Sequence, residues 1–432
     1  MSNRFRGILI SVLLLAVVVG LYYLPPVHAR LGWRVDNLRA QIIYFFNPPE
    51  QAVFQPTEWA QIGAIVSATL HALTPSPTTT PVPPTRGPTG TPTLTPTPPP
   101  AAVDLKGVKY EHQHNRWNYC GPANFSMALT YWGWKGDRDV IGKALKPSDK
   151  DKNVMPYEFQ DYITENIPTL GSALRLGGDI DLLKRLIAGG FPVLAEKGYY
   201  ELDYTGKIGW MGHYQFVTGY DDNEGILIVQ DTYNDGPNFH IPYDKFTEGW
   251  RSFDYLFVVV YPNERESEVM ALLGPWADQT WAARHALNIA QAESHDLNGI
   301  DQFFAWFNVG TSHVSLQEYT DAAIAYDYAF SLYAHLNNDD STRPYRIMWY
   351  QTSAYRAYYY SERYLDVINL ATTTLEDTIS EPVLEESLYW RGQAKYMIGD
   401  TQGAINDFRA ALKIHPGFTP AIQGLQDLGA QP

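Results

Sequence analysis

The 432-residue sequence predicts two folded parts of different class: an α+β domain over residues 104–263 and an all-α helical-repeat solenoid over 276–432. An apolar N-terminal helix and a Pro/Thr-rich linker precede them. Three observations carry this reading. The chain is too long for one hydrophobic core, so two or three domains are expected. Between 104 and 263, short β-rich runs alternate with amphipathic helical stretches. After 276, small and large residues recur at fixed intervals on helical patterns.

The elements follow in chain order. Residues 1–30 read as a cytoplasmic start and a transmembrane signal anchor. Gly7 to Leu24 carries no charge across 18 positions, and Arg4 and Arg6 precede it. That length is at the lower edge for a spanning helix and also fits a signal-peptide core. The basic start places the N-terminus in the cytoplasm and the rest outside, giving a single-pass protein of the cell membrane. The alternative is secretion after cleavage near Ala29, where Val27-His28-Ala29 offers a small-residue site. Residues 31–73 form a membrane-proximal segment with two short helical stretches around Asn47-Pro48-Pro49 and no functional signature. Residues 74–103 are the linker: Thr74 to Pro100 holds 11 Pro and 10 Thr in 27 positions. Such a run cannot bury a core and is expected to be a disordered, extended spacer. At about 3.1 Å per residue it would reach on the order of 80 Å from the membrane.

Bulk charge narrows the partners. The net charge is −15, and the first hundred residues hold six Arg against three acids, so the remainder carries about −18. An acidic surface of that size excludes nucleic acid as a partner, because phosphate binding needs a basic one. Cys120 is the single cysteine, so neither an intramolecular disulfide nor a multi-Cys metal site can form.

Within 104–263 the informative segment runs from Gln113 through Tyr119-Cys120-Gly121-Pro122-Ala123 to Gly133. Phe125, Ala128, Leu129 and Trp132 follow at helical spacing, and Pro122 suits a first helical turn. Cys120 is therefore expected at a helix N-terminus, where the helix dipole and unpaired N–H groups favour the thiolate. Gly121 leaves room for a substrate backbone. A thiolate needs a proton partner near neutral pH, and Gly212-His213-Tyr214 begins a predicted strand that runs to Gly219-Tyr220. The following strand, Gly225 to Asp231, ends in an acid 18 residues after His213. A hairpin turn over Asp221–Gly225 brings that carboxylate beside the imidazole. Gln113, seven residues before Cys120, can donate to a developing oxyanion. His112 and His114 flank it without a carboxylate cluster, so no metal and no cofactor are expected. Trp117, Trp132 and Trp134 read as core or cleft wall. Taken singly, a helix-start cysteine is most often a small apolar residue; the joint pattern is what points to chemistry. The remaining elements are a helix over Asp179–Gly189, a strand from Phe191, and a buried strand over Tyr255–Tyr261.

A Gln, then Y-C-G-P-A opening a helix, then G-H-Y-x-x-V-T-G-Y and a strand ending in Asp, resembles the papain-like cysteine peptidases that process double-glycine bacteriocin leaders. Without an ATPase motif, it is similar to their stand-alone secreted type. The resemblance covers about Val108 to Pro262. It implies a papain-like fold, a peptide or protein substrate, and hydrolysis with Cys120 as nucleophile, His213 as base, Asp231 as orienting acid and Gln113 as oxyanion donor. Thr232 stands where relatives often have Pro, and the Gln-to-Cys interval is one residue longer than in many of them, with His114 at the shorter spacing.

In the last part, Gly392, Ala404, Phe408, Ala411 and Pro416 stand at intervals of 12, 4, 3 and 5. Gly310, Ala322, Tyr326 and Ala329 repeat the first three, and Tyr355, Val367, Ala371 and Thr374 do so in degenerate form. Trp276 to Ala292 reads as a leading helix. The pattern resembles the tetratricopeptide repeat family, whose stacks present a concave surface to a protein partner. The short joint between the two parts, with no spacer composition, predicts that they pack together. Two other functions fit the same residues: a surface-displayed adaptor without turnover, and a cell-wall amide hydrolase or acyl transferase on the same fold.

Overall fold

The computed structural model describes residues 3–57, 99–114, 116, 118–148, 151, 153–202, 206–233, 236–336 and 343–432; most of the Pro/Thr-rich linker, and Trp117, lie outside them. The N-terminal stretch forms helices α1 (Asn3–Tyr22) and α2 (Pro25–Phe46), with Pro25 and Pro26 at the start of the second. Among the described residues no helix is long and apolar enough to cross a membrane. The side chains of residues 1–11, which open the 7–24 stretch, are not among them.

Helix α2 thus covers the helical stretch expected before Asn47-Pro48-Pro49, the one expected after it falls on residues 58–73, outside the described residues, and the chain from 39 to 57 lies against the C-terminal helices. Arg39 pairs with Glu381. Tyr44 donates its hydroxyl proton to Thr378 O at 3.3 Å. Phe54 is buried edge-on against Phe330, with centroids 5.0 Å apart. Thr57 donates its N–H and its hydroxyl to the two oxygens of Asp366 at 2.8 and 2.9 Å. At the far end of the linker, Tyr220 donates to Pro100 O at 2.7 Å and the chain enters strand β1 (Ala102–Asp104). Thr57, upstream of the expected spacer, and Pro100, near its end, are therefore both fastened to the folded body.

The α+β part then runs α3 (Cys120–Tyr131), α4 (Arg138–Leu145), α5 (Pro156–Asn166), β2 (Leu170–Arg175), α6 (Ile180–Ala188), β3 (Val193–Leu202), β4 (Ile208–Asp221), β5 (Ile226–Gln230), β6 (Phe239–Pro242), α7 (Tyr243–Arg251), β7 (Phe257–Pro262) and α8 (Glu266–Leu273). Among the described residues one antiparallel sheet has the order β2-β7-β3-β4-β5-β6, and β1 adds to β4 where β3 leaves off. Gly219 permits that approach, since a Cβ there would stand 2.6 Å from Val103 O. Helix α6 starts where expected, with the Asp179 side chain accepting from Leu182 N.

Both faces of the sheet are covered, which is why its strands read as apolar runs rather than alternating ones. On one face Phe125, Phe159, Tyr214, Phe216, Val258 and Val260 pack with Cys120 beneath α3 and α5. On the other, Leu182, Leu186, Phe191, Val217, Trp250 and Phe257 pack beneath α6 to α8.

The C-terminal part comprises α9 (Gln279–Asp296), α10 (Gly299–Ser315), α11 (Tyr319–His335), α12 (Ile347–Tyr350), α13 (Ser353–Tyr360), α14 (Tyr364–Thr372), α15 (Glu385–Met397), α16 (Thr401–Ile414) and α17 (Thr419–Asp427). The pairs α10/α11, α13/α14 and α15/α16 are helix hairpins, and their small residues seat large ones. A Cβ on Gly310 would lie 2.7 Å from the Tyr326 ring, and one on Gly392 would lie 2.7 Å from the Phe408 ring. Trp276, expected in the leading helix, sits in the turn before α9 and donates Nε1–H to Gly177 O at 2.9 Å.

The two parts share one core. Trp210 and Phe253 of the α+β domain belong to the apolar cluster of the helices. Polar ties line the seam: Arg251 with Glu293, Asn308 Nδ2 to Arg251 O at 2.6 Å, Ser312 to Asp254 at 2.7 Å, and Gln351 Nε2 to Ser252 O at 2.6 Å. The expected packing between domains is present.

Candidate active site

Cys120 opens α3, and the N-cap residue Tyr119 makes no side-chain bond to the helix end. Pro122 has no N–H and Ala123 N bonds Tyr119 O at 3.0 Å, so the helix end offers an anion the N–H groups of Cys120 and Gly121 and the positive end of the dipole. The backbone N–H groups of Gly121 and Tyr214 both face the sulfur.

His213 lies in the middle of β4 rather than at its start, because the strand already begins at Ile208. Its Nε2 meets Asp231 Oδ2 at 3.1 Å, which leaves Nδ1 as the nitrogen for Cys120, whose sulfur is near enough to raise the imidazole. Asp231 directly follows β5. The register that pairs Phe216 with Gln230 brings it alongside His213 and Gln215, which share one face of β4. Its carboxylate is then fully occupied: Gln215 Nε2 donates to Oδ2 at 2.7 Å and Tyr233 N to Oδ1 at 2.8 Å.

The charges support one another. Burial alone would raise the Cys120 thiol, but the hydrogen bond and charge of His213, with the two N–H groups, bring it below its ordinary value. Burial alone would lower His213; the Asp231 carboxylate and the Cys120 sulfur outweigh it and push the imidazole up to about 10. Burial would raise Asp231, and His213, Gln215 and the Tyr233 N–H instead hold it well below the usual carboxylate range. The group favours a thiolate–imidazolium pair at neutral pH.

Gln113 is also held at this end of the sheet. Its N–H donates to Thr232 O at 2.8 Å, and its Oε1 accepts from the Thr232 hydroxyl at 2.8 Å. The carboxamide is thereby oriented with its oxygen engaged, leaving the NH2 group as the donor. His114, at the shorter spacing, bonds Tyr233 O through Nε2 at 2.6 Å, and His112 meets Arg138.

Several residues of the site carry no sequence signal. Asn124, one turn after Cys120 and fully buried, donates Nδ2 to Cys120 O at 2.9 Å, Tyr214 O at 2.8 Å and the Thr232 hydroxyl at 3.4 Å. It pins the helix of the nucleophile to the strand of the imidazole. Thr232, where Pro was the common residue, supplies the hydroxyl that links Asn124 to Gln113. Glu196 on β3, opposite Tyr214, is buried close to Cys120 with neither carboxyl oxygen hydrogen-bonded; the Tyr214 hydroxyl donates instead to Val154 O at 2.9 Å. Burial and the nearby sulfur push Glu196 well above the usual carboxylate range, so it sits there as the neutral acid.

At the seam with the helices, Asp151, Glu385 and His415 bring ligand-type atoms within 4.8 Å of one another. His415 Nδ1 and Glu385 Oε1 are 3.3 Å apart, and burial with the nearby Asp151 carboxylate pushes the Glu385 carboxyl well above the usual carboxylate range.

Comparison with curated proteins finds no match. A solved structure described as a candidate C39-like peptidase from Bacillus anthracis is 16% identical to this chain, covering 38% of it and 98% of that chain, with a TM-score of 0.30. Residues 105–257, the span that holds Cys120, His213 and Asp231, match the model of the Peptidase_C39 like family.

Proposed function

We propose that the α+β domain is a cysteine peptidase that hydrolyses peptide bonds through Cys120, His213 and Asp231. The observation that carries this is the placement of His213, with Nε2 on Asp231 and its other nitrogen toward a sulfur at a helix start. The Cys120 thiolate attacks the scissile carbonyl carbon. The resulting oxyanion takes hydrogen bonds from the Gln113 NH2 and the first-turn N–H groups. The His213 imidazolium gives its proton to the departing amine, the C–N bond breaks, and a thioester remains. The neutral imidazole then takes a proton from water, the hydroxide oxygen attacks the thioester, and thiolate and carboxylic acid separate.

The match over 105–257 supports the peptidase reading. Processing of double-glycine leaders, as a stand-alone secreted type, is the finer assignment that the Y-C-G-P-A and G-H-Y segments suggest. The helix hairpins, with Gly310 seating Tyr326 and Gly392 seating Phe408, fit tetratricopeptide repeats that bind a protein partner or substrate. Residues 7–24 anchor the chain in the membrane with both domains outside the cytoplasm.

Cys120→Ala should abolish hydrolysis of an unstructured peptide while the melting temperature stays within a few degrees. His213→Ala should match it, and the double variant should be no worse, since a nucleophile and its base act as a unit. Wild-type turnover by Cys120→Ala would sink the proposal. Protease added outside intact cells should reach the domains, and a high-salt wash should leave them on the membrane. A released chain beginning near Arg30 would replace the anchor by secretion.

A further inference from the structure

We infer that Tyr350, a residue of the helical domain, is a positioning residue for His213, so that the active site is built by both domains together. This rests on the reading of Cys120 and His213 as the reactive pair.

Tyr350 ends α12, well over a hundred residues beyond β4, yet its ring lies on the strand directly before His213. A Cβ built on Gly212 would stand 2.8 Å from the Tyr350 ring and 2.7 Å from that of Phe253. Gly212 has no left-handed backbone, so the glycine is required by this ring contact rather than by its own conformation. The ring meets Trp210 edge-on at 5.8 Å and Phe253 edge-on at 6.2 Å, while Trp210 and Phe253 stack at 5.7 Å. Three rings therefore enclose the backbone of Trp210–Gly212. Neighbours on both sides of Tyr350 hold it down: Arg346 Nη1 donates to Trp210 O at 3.4 Å and Gln351 Nε2 to Ser252 O at 2.6 Å.

The Tyr350 hydroxyl faces the Gly212 N–H and lies within the electrostatic reach of Cys120 and Glu196. From the other side, the Tyr199 ring stands edge-on to His213 at 5.4 Å. A side-chain-free residue gives β4 little of its own stiffness at the position before the imidazole. The Tyr350 ring supplies that stiffness and thereby sets the direction of His213 toward Cys120. Misplacement of such a group by about 1 Å costs up to about a hundredfold in rate.

Cys120 is the only cysteine, so the rate of alkylation by iodoacetamide reports on it alone and needs no knowledge of the substrate. In the full chain, wild type should alkylate with an inflection below the ordinary thiol range, and Tyr350→Phe, which keeps the ring, should stay within about threefold of it. Tyr350→Ala should slow alkylation at pH 7 by about tenfold and move the inflection up toward an ordinary thiol. A Tyr350→Ala profile equal to wild type overturns the inference whatever the melting temperature does. Should that variant not fold, Gly212→Ala, which displaces the ring from the sheet side, is read by the same two criteria. An ordinary thiol profile in wild type itself would instead overturn the reactive-pair reading, which separates the two failures.

Discussion

His213 and Gln215, two positions apart on one face of β4, converge on a single oxygen: Asp231 Oδ2 lies 3.1 Å from His213 Nε2 and 2.7 Å from Gln215 Nε2. The carboxylate is thus held by one neighbour while it orients the other. An imidazole bonded in this way has its tautomer and its ring plane set before a substrate arrives.

The first prediction concerns this carboxylate. Asp231 is a main reason why His213 titrates near 10 against the opposing pull of burial. A raised imidazole contributes stability that is fully present below about 6.5 and is lost as pH rises through about 10. With Asp231→Asn the charge is gone, burial prevails, and that loss moves down toward neutral pH. The alkaline limb of peptide hydrolysis should move the same way, and kcat should fall by on the order of 10²- to 10⁴-fold. A pH–rate profile with an unmoved alkaline limb would show that Asp231 does not set the state of His213.

The second addresses the oxyanion donor. Gln113→Ala should lower kcat by about a hundredfold, with KM little changed, if its NH2 group meets the oxyanion. Thr232→Val removes the hydroxyl that orients this carboxamide at 2.8 Å and should lower kcat in the same direction by a smaller factor. Steady-state kinetics on one peptide decides the matter. A KM effect alone would make Gln113 a substrate contact.

The third concerns Glu196, whose neutral form the fold prefers. A carboxyl raised in this way contributes stability that is complete below about 4.5 and declines as pH rises. Glu196→Gln mimics the neutral acid, so its melting temperature should equal that of wild type at pH 4 and exceed it increasingly toward pH 8. Parallel melting curves across that range would mean that Glu196 is charged in the native state.

The reactive residues were legible because chemistry restricts their types and local structure restricts their places. A cysteine before Gly-Pro at a helix start, a histidine on a β-run and an acid at the end of the next β-run can be read within a few residues of each. His213 was expected at the start of its strand; pairing with β3 carries the strand back through Gly212 and Gly209 to Ile208. Asn124, Thr232 and Gln215 are ordinary polar residues whose roles arise only once α3, β4 and the end of β5 meet. Gly212 was noted as part of Gly-His-Tyr, but its partner Tyr350 lies in another domain, where no local pattern could point back to it. Residues 31–57 have unexceptional composition, and their seat on the helices rests on distant contacts such as that of Thr57 with Asp366.

Those contacts change the topology of the whole chain. Thr57 is fastened to α14 and Pro100 to β4, so the stretch between them, which includes the Pro/Thr-rich run, has both of its described ends on one body. It is a handle rather than a rope. Its contour length does not enter the height of Cys120 above α1, which is set by α2 and the short arm that carries Phe54. Doubling or halving the run would leave that height unchanged, and a single nick in it would open the handle without letting the body go.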